Sequence, residues 1–272
     1  MVVLRKRTGV IALVAQLALG TGGCVIDISG VTVDDDWGDG KVEVSTSFSR
    51  TVSVQGQSGI SLVGTNGTVV VRGQVGPGPV VIHARRWVRA RTRREAEEYL
   101  PRVRVAVGVG PQEVKVETEQ PGESGGRSYG VDYEIQVPGD LQLHVINGNG
   151  VIEIRDTRDD LWVESGNGDI VLEGHEGSSW ISLGNGEIRA DVFLPPGGQA
   201  VHAVGNGGVK LTVQQNVSAV FSAHVGNGTI GVTGLDFTQW VSGPRFAEGV
   251  LGGGDGLLDL SVGNGWIQAR GS

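Results

Sequence analysis

Apolar residues recur at fixed distances around six copies of the tripeptide Gly-Asn-Gly. The residues three and five positions after each asparagine are all apolar, as in Ile170 and Leu172. The residues six and four positions before it are also apolar, with two exceptions at Ser179 and His202. The positions between them are mostly polar, so each flank alternates with the period of two that is typical of a half-buried strand. Each copy therefore predicts two strands joined at the tripeptide.

The spacing of the tripeptides indicates a stacked repeat. Through the centre of the chain the intervals between asparagines are 18, 18, 21 and 21 residues, and a period near 20 is typical of such architectures. Glycine reaches positive φ at no cost and asparagine tolerates the left-handed region, so we expect a sharp structural corner there. Stacked amides would form a ladder with rungs about 4.8 Å apart. The corner asparagines are Asn149, Asn167, Asn185, Asn206, Asn227 and Asn264, with a looser copy at Thr65-Asn66-Gly67.

These patterns predict an all-β protein, a parallel β-solenoid (β-helix) with rungs of 18–21 residues in residues 141–272. The 47 glycines in 272 residues agree with many tight corners. Residues 42–140 are less regular and predict an irregular N-terminal β cap with the first loose repeat. This cap carries one short helix, which begins with the capping box Thr92-Arg93-Arg94-Glu95 and is stopped by Pro101.

The N-terminus has the order of features found in a secretory signal. Arg5, Lys6 and Arg7 precede an apolar stretch that is too short for an ordinary membrane span, and small residues lead to Cys24. Cys24 is the only cysteine, so it has no disulfide partner within the chain. We therefore expect a signal peptide over residues 1–23 and a lipid-anchored tether over residues 24–41.

Two resemblances sharpen this interpretation. The segment around Cys24 resembles a bacterial lipobox, which implies acylation of its thiol, and Val25 at the next position implies outer-membrane placement in a Gram-negative cell. Residues 42–272, with the phrase Val131–Pro138 and the terminal Gly252-Gly253-Gly254, resemble the bacterial putative-adhesin family of Gly-Asn-Gly repeat β-solenoids, a domain of largely unknown function. That resemblance implies a cell-envelope binding or structural module, and some members are implicated in envelope stress responses.

Candidate chemistry is sparse. The five histidines are scattered without metal-ligand spacing, so we expect no metal, no cofactor and no catalytic site. Because some β-helices act on polysaccharides, a remote alternative is an enzyme in which four acidic side chains share one face. Those side chains are Asp156, Asp159, Asp169 and Glu187. The net charge of −8 does not support nucleic-acid binding.

Two surface features are candidates for binding. Trp162 and Trp180 occupy the same outward position of successive repeats, so they are either covered by another part of the assembly or form a platform for a sugar or a protein. Arg85, Arg86 and Arg89 belong to a cationic stretch that either pairs internally or binds an anionic partner. The expected partners are the membrane, through the lipid, and a polysaccharide or an envelope protein. The oligomeric state is left open.

Overall fold

The strands of the computed structural model form one large, mostly parallel sheet, and the described chain is all-β apart from one short helix. The structure describes residues 9–20, 23–37 and 41–272, with side chains for residues 31–34 and 41–272. The front elements are β1 Gly9–Gly20, β2 Gly23–Trp37, β3 Lys41–Val52, β4 Gly59–Val63, β5 Val69–Gln74, β6 Val80–Ala90, α1 Arg93–Tyr99 with a 3-10 turn Leu100–Arg102, β7 Arg104–Val109, β8 Glu113–Glu119 and β9 Ser128–Pro138. The repeat elements are β10 Gln142–Asn149, β11 Ile152–Arg155, β12 Leu161–Asn167, β13 Ile170–Glu176, β14 Ser179–Phe193, β15 Gln199–Val213, β16 Ala219–Thr233, β17 Phe237–Ser242, β18 Phe246–Leu251 and β19 Gly256–Gly271.

The repeat strands stack in parallel and in register as two columns. We call the segments before each asparagine the leading column and the segments after it the trailing column. In the leading column Leu143 pairs with Leu161, and in the trailing column Ile170 lies between Ile152 and Ile188. All five side chains are buried. The predicted alternation of inward and outward residues is therefore confirmed through the middle of the stack.

The corner differs from the prediction in its backbone geometry. Among the non-glycine residues that the structure describes, only Asp156 has a positive φ, so the asparagines do not use the left-handed region. The glycine after each asparagine takes the positive φ instead, as Gly207 does at 138°. A Cβ built on Gly207 would fall on the carbonyl oxygen of Gly186 in the neighbouring rung. Glycine is thus required both by its φ and by the close approach of stacked backbones.

The rungs do not follow the order of the chain at the rear of the stack. Strand β19 lies between β15 and β16, so Asn264 is placed between Asn206 and Asn227. The chain therefore passes from β15 to β16 across a gap of one rung. The C-terminal strand β19 fills this gap. The one sequence hint of this insertion is the interval of 37 residues from Asn227 to Asn264.

A further inward position lies two residues before each asparagine. Leu183, Val204, Val225 and Val262 are buried there, as is Asn147 in the first regular repeat. Before the asparagine, the inward residues thus lie two, four and six positions away from it. After the asparagine, they lie three and five positions away. This change of parity places the bend of the chain between the two columns.

The front elements, from β3 to β9 and including the one helix, continue both columns and add antiparallel strands; we call them the cap. Strands β8 and β9 extend the leading and trailing columns by pairing in parallel with β4 and β5. Strand β6 then pairs antiparallel with β9 on one side and with β3 on the other. The helix begins as predicted, because the Thr92 hydroxyl accepts a hydrogen bond from the backbone N–H of Glu95 at 3.3 Å.

Part of the segment predicted as a tether forms a strand. Strand β2 pairs antiparallel with β1 and with β3, where Val31 lies opposite Thr46 and Asp34 opposite Glu43. Val31 and Val33 also pack against the hydrophobic core, which explains why this stretch is ordered as a strand. Residues 1–8 and the side chain of Cys24 lie outside the described part, so the signal peptide and the lipid remain predictions. No helix in the described residues has the length and apolar character needed to cross a membrane.

Candidate functional site

The two indoles of the predicted tryptophan column are stacked face to face. Their ring centroids are 4.8 Å apart and their planes differ by 8°. Trp162 and Trp180 pair in register on β12 and β14, with His144 on the preceding rung and Val201 on the following one. Both indoles are half-buried. Stacking covers one face of each ring, so the other face is the one left for further contacts.

Trp162 forms one wall of a groove of about 750 Å³ on the outer side of the leading column. The groove crosses four paired strands in the order β8, β4, β10 and β12. The turn between β7 and β8, at Gly110 and Pro111, contributes to the opposite end. Between the two ends lies Gly59, which has no side chain to fill the space between Gln142 and Glu113. The cap thus faces Trp162 across a groove.

About half of the groove's lining is polar, and the carboxylates in it make it acidic. Six polar side chains border it: Ser58, Gln112, Glu113, Gln142, His144 and Glu164. Among the described residues that line it, none is a lysine or an arginine. Lys115 lies nearby on β8, but its ammonium group is 2.6 Å from the carboxylate of Glu117. Apart from Trp162, these residues were not predicted, although a glycine within a strand, such as Gly59, often marks a place where a ligand or another backbone approaches closely.

The arginine cluster is engaged within the cap. Arg85 and Arg89 each bind one carboxylate oxygen of the buried Glu43, at 2.6 and 2.8 Å. Arg85 also binds Asp132 at 2.9 Å, and Arg86 donates a hydrogen bond to the carbonyl oxygen of Val103 at 3.1 Å. Of the two alternatives for this cluster, the geometry favours internal pairing over binding of an anionic ligand.

The four acidic residues of the remote enzyme alternative do not meet. Asp156 and Asp159 lie before β12, whereas Asp169 lies after it and Glu187 lies on the next rung beside Asp169. The seven residues of β12 span about 23 Å at about 3.3 Å per residue. Paired carboxylates of glycosidases are separated by at most about 9.5 Å. The four residues are therefore divided between the two ends of β12, and Arg189 binds both Asp169 and Glu187.

The two polar exceptions in the inward frame are partners of each other. Ser179 and His202 are fully buried on neighbouring rungs, and the Ser179 hydroxyl lies 2.9 Å from Nε2 of His202. Burial lowers the pKa of His202 to about 3, with a smaller contribution from His175. Burial also lowers the pKa of His175, whose Nδ1 lies 2.9 Å from the Thr157 hydroxyl. Within the described residues, no group of three or more His, Cys, Asp or Glu side chains could hold a metal.

A serine–histidine pair on the cap was not predicted. The Ser49 hydroxyl lies 3.0 Å from Nδ1 of His83, beside a groove of about 500 Å³. Glu134 is opposite His83 in the sheet, but its carboxylate binds Arg72. A nucleophilic triad needs an acid that orients the histidine, and among the described residues the acid opposite His83, Glu134, is engaged by Arg72 instead.

The predicted corner asparagines lie in one hydrogen-bonded ladder. Each side-chain amide donates to the side-chain oxygen of the neighbouring asparagine at 2.8–2.9 Å, and the ladder includes the loose copy at Asn66. The amide groups are thereby used within the stack, which is the arrangement expected of a structural element.

No family model matches the sequence, and no curated protein matches it. Among solved structures, it is similar to a putative cell adhesion protein from Clostridium sporogenes, with 11% identity, 84% of this chain and 100% of that chain covered, and a TM-score of 0.46. A putative adhesin from Bacteroides fragilis shows 13% identity, coverage of 82% and 96%, and a TM-score of 0.33. A putative adhesin from Parabacteroides merdae shows 10% identity, coverage of 82% and 95%, and a TM-score of 0.24. At these TM-scores the likenesses do not by themselves establish a shared fold or function.

Proposed function

We propose that this chain is a β-solenoid of the putative-adhesin type, anchored by a lipid on Cys24, which acts in the cell envelope as a non-catalytic binding module. The repeat frame, the stacked columns and the asparagine ladder support the solenoid. The lipobox-like segment supports the anchor. Outer-membrane placement in a Gram-negative cell is supported by Val25 after the cysteine.

The observation that carries the binding role is the groove beside Trp162. A half-buried indole at a concave polar surface combines an apolar contact area with groups that fix the orientation of a ligand. The ladder and the core, by contrast, use their polar groups internally. The groove is therefore the surface through which the module would contact a polysaccharide or an envelope protein.

Two measurements on the full chain test this proposal. Labelling of producing cells with a radioactive fatty acid should mark the wild type and not Cys24→Ser, which should move to the soluble or precursor pool. A wild type that is never labelled would refute the anchor.

The binding role is tested by the double variant Trp162→Ser/Trp180→Ser. We expect it to lose binding to isolated envelope material. A matched control is Trp240→Ser, which removes an exposed indole at the other end of the stack. Unchanged binding by the double variant would refute the groove as the contact surface.

A second candidate function is an envelope-integrity or stress-signalling component that acts through a protein partner. It is favoured by the trailing half of β16, from Gly228 to Thr233, whose only neighbour among the described strands is β19. An open edge can accept an extended segment of another protein. Gly231→Lys, which places a charge on this edge, would abolish capture of one defined envelope partner under this function and would leave binding at the groove unchanged.

A further inference from the structure

We propose that the groove beside Trp162 binds one pyranose ring of a neutral or amino-sugar polysaccharide, which stacks on the single open face of Trp162. This inference rests on the proposed binding function and names the ligand class for the same site.

The stacking geometry leaves one indole face for a ligand. Trp180 covers the face of Trp162 on the side of the following rung, with the planes only 8° apart. The other face of Trp162 therefore points toward the rung of His144, which is where the groove lies. Trp162 lines the groove and Trp180 does not. Trp162 is thus the contact residue, and Trp180 is a positioning residue that holds the indole plane.

A sugar ring has the two kinds of surface that this arrangement offers. One side of a pyranose carries C–H groups, which are attracted to the negative face of an aromatic ring. Its hydroxyl groups at the rim both donate and accept hydrogen bonds. Gln142, His144 and Glu164 lie near Trp162 in the groove and supply matching donors and acceptors.

The charge of the lining selects among sugars. Glu113 and Glu164 are the acidic members of the lining, which contains no lysine or arginine. A uronic acid or a sulfated sugar would bring a negative charge toward these carboxylates without a cation to pair with it. A neutral hexose avoids this repulsion, and the ammonium group of an amino sugar would be attracted.

A proline-rich peptide is the main competing occupant, since such peptides dock in grooves lined by several aromatic residues. Here one aromatic side chain faces six polar ones. This ratio favours a ligand that is rich in hydroxyl groups.

The test is calorimetric titration of the full chain in a detergent without a sugar headgroup. The probes are hexamers of β-1,4-linked glucose, of glucosamine and of galacturonate, and a proline-rich peptide of similar length. We expect the glucose and glucosamine hexamers to bind at least about 10-fold more tightly than galacturonate or the peptide, because they avoid the charge repulsion. Equal or tighter binding of galacturonate or of the peptide would overturn the inference.

The roles of the two indoles are separated by single variants. Trp162→Ala should weaken binding at least about 30-fold, as expected for a central aromatic contact. Trp180→Ala should weaken it only about 3- to 10-fold, and Trp180→Phe should restore most of that loss because a phenyl ring can still support Trp162. Trp240→Ala should bind like the wild type. An equal loss from Trp162→Ala and Trp180→Ala would overturn the assignment of a single contact face.

The outcomes also separate this inference from the proposed function. If no sugar hexamer binds but Trp162→Ala abolishes binding of an envelope protein, the sugar is wrong and the binding module stands. If Trp162→Ala changes neither sugar binding nor binding to envelope material, both fail.

Discussion

The two ends of the stack differ in how far their strands are covered by other strands. At the front, β8 and β9 extend both columns, and β7 and β6 then cover them with antiparallel pairing. At the rear, β18 covers only the leading half of β16. The trailing half of β16 has β19 on one side and no neighbour on the other among the described strands. The edge of the last paired strand is therefore covered at the front of the stack and partly open at the rear.

At the rear end, aromatic side chains of β17, which pairs antiparallel with β18, pack against the core. Phe237 contacts Phe221 edge to face at 5.5 Å between centroids, and Trp240 lies 4.4 Å from Phe237. Ile230 and Val232 remain only partly buried at the open edge. In a stacked repeat, stability depends on the contacts of each rung with its neighbours. Equivalent positions in the frame therefore need not contribute equally to the stability of the protein.

The largest expected effect compares equivalent isoleucines in the middle and at the rear. Ile170→Asp places a charge in a fully buried stack and should lower the free energy of unfolding by more than about 4 kcal/mol. Ile230→Asp, at the same frame position on the open edge, should cost less than about 2 kcal/mol. Urea unfolding measures both.

Val171→Asp is the control for the first comparison, because Val171 is the outward neighbour of Ile170 and should cost under about 1 kcal/mol. Equal losses in Ile170→Asp and Val171→Asp would contradict the inward assignment. Equal losses in Ile170→Asp and Ile230→Asp would contradict the difference between the middle and the rear.

Glycine substitutions compare how closely the backbone is packed in the middle of the stack and at its open edge. Gly207→Ala places a methyl group against the Gly186 carbonyl at an unfavourable φ, and we expect a loss of about 3 kcal/mol. Gly231→Ala on the open edge meets nothing within 4 Å and should change stability by at most about 1 kcal/mol. Thermal melts of the two variants check this difference, and equal losses would contradict the close approach of the backbones at Gly207.

Acid should destabilise the middle of the stack through His202. Its pKa is about 3 in the folded protein because of burial, below the ordinary value of 6.5. Above pH 6.5 the neutral form is present in both states and the histidine has no effect on the pH dependence. As pH falls from 6.5 toward 3, only the unfolded state gains the proton, so stability decreases by about 1.4 kcal/mol per pH unit.

The matched pair for this measurement is His202→Leu and His224→Leu, followed by urea unfolding at pH 7 and pH 5. His202→Leu should reduce the loss of unfolding free energy between pH 7 and pH 5 by about 2 kcal/mol. His224→Leu, at an exposed histidine near the rear end, controls for the removal of an imidazole as such. An unchanged slope in His202→Leu would show that this histidine titrates equally in both states.

The smallest expected effect lies in the front cap. Glu43→Gln removes the buried charge that Arg85 and Arg89 share, while keeping the shape of the side chain. Because both arginines are partly exposed, water screens the loss, and we expect about 1–2 kcal/mol. The melting temperature should fall modestly, and it should not fall in Glu134→Gln, whose carboxylate is exposed beside Arg72. Equal melting temperatures for the two variants would contradict the importance of burial at Glu43.

Part of the candidate site could be predicted and part could not. The column of Trp162 and Trp180 follows from the repeat spacing, because residues at one frame position of stacked rungs must be neighbours. The groove could not be predicted, because it depends on β8 and β4 pairing beside β10. The pairing of Arg85 with Glu43 likewise joins residues from two strands whose partnership the local pattern does not reveal.

The sequence by itself determined the structure of a single rung, that is, its inward face and its corner. The alternation of apolar residues around each tripeptide selects the inward face, and the glycines permit backbones to approach at the corner, so both features depend on neighbouring residues only. The order of the rungs was decided by the tertiary structure, since Asn264 could join any rung of the same frame and takes its place between Asn206 and Asn227. The physical reason is that rungs with the same spacing of apolar residues offer the same backbone hydrogen bonds to a neighbouring rung. Only the packing of whole strands, such as the fully buried Leu258 and Leu260 of β19, distinguishes an interior rung from a terminal one.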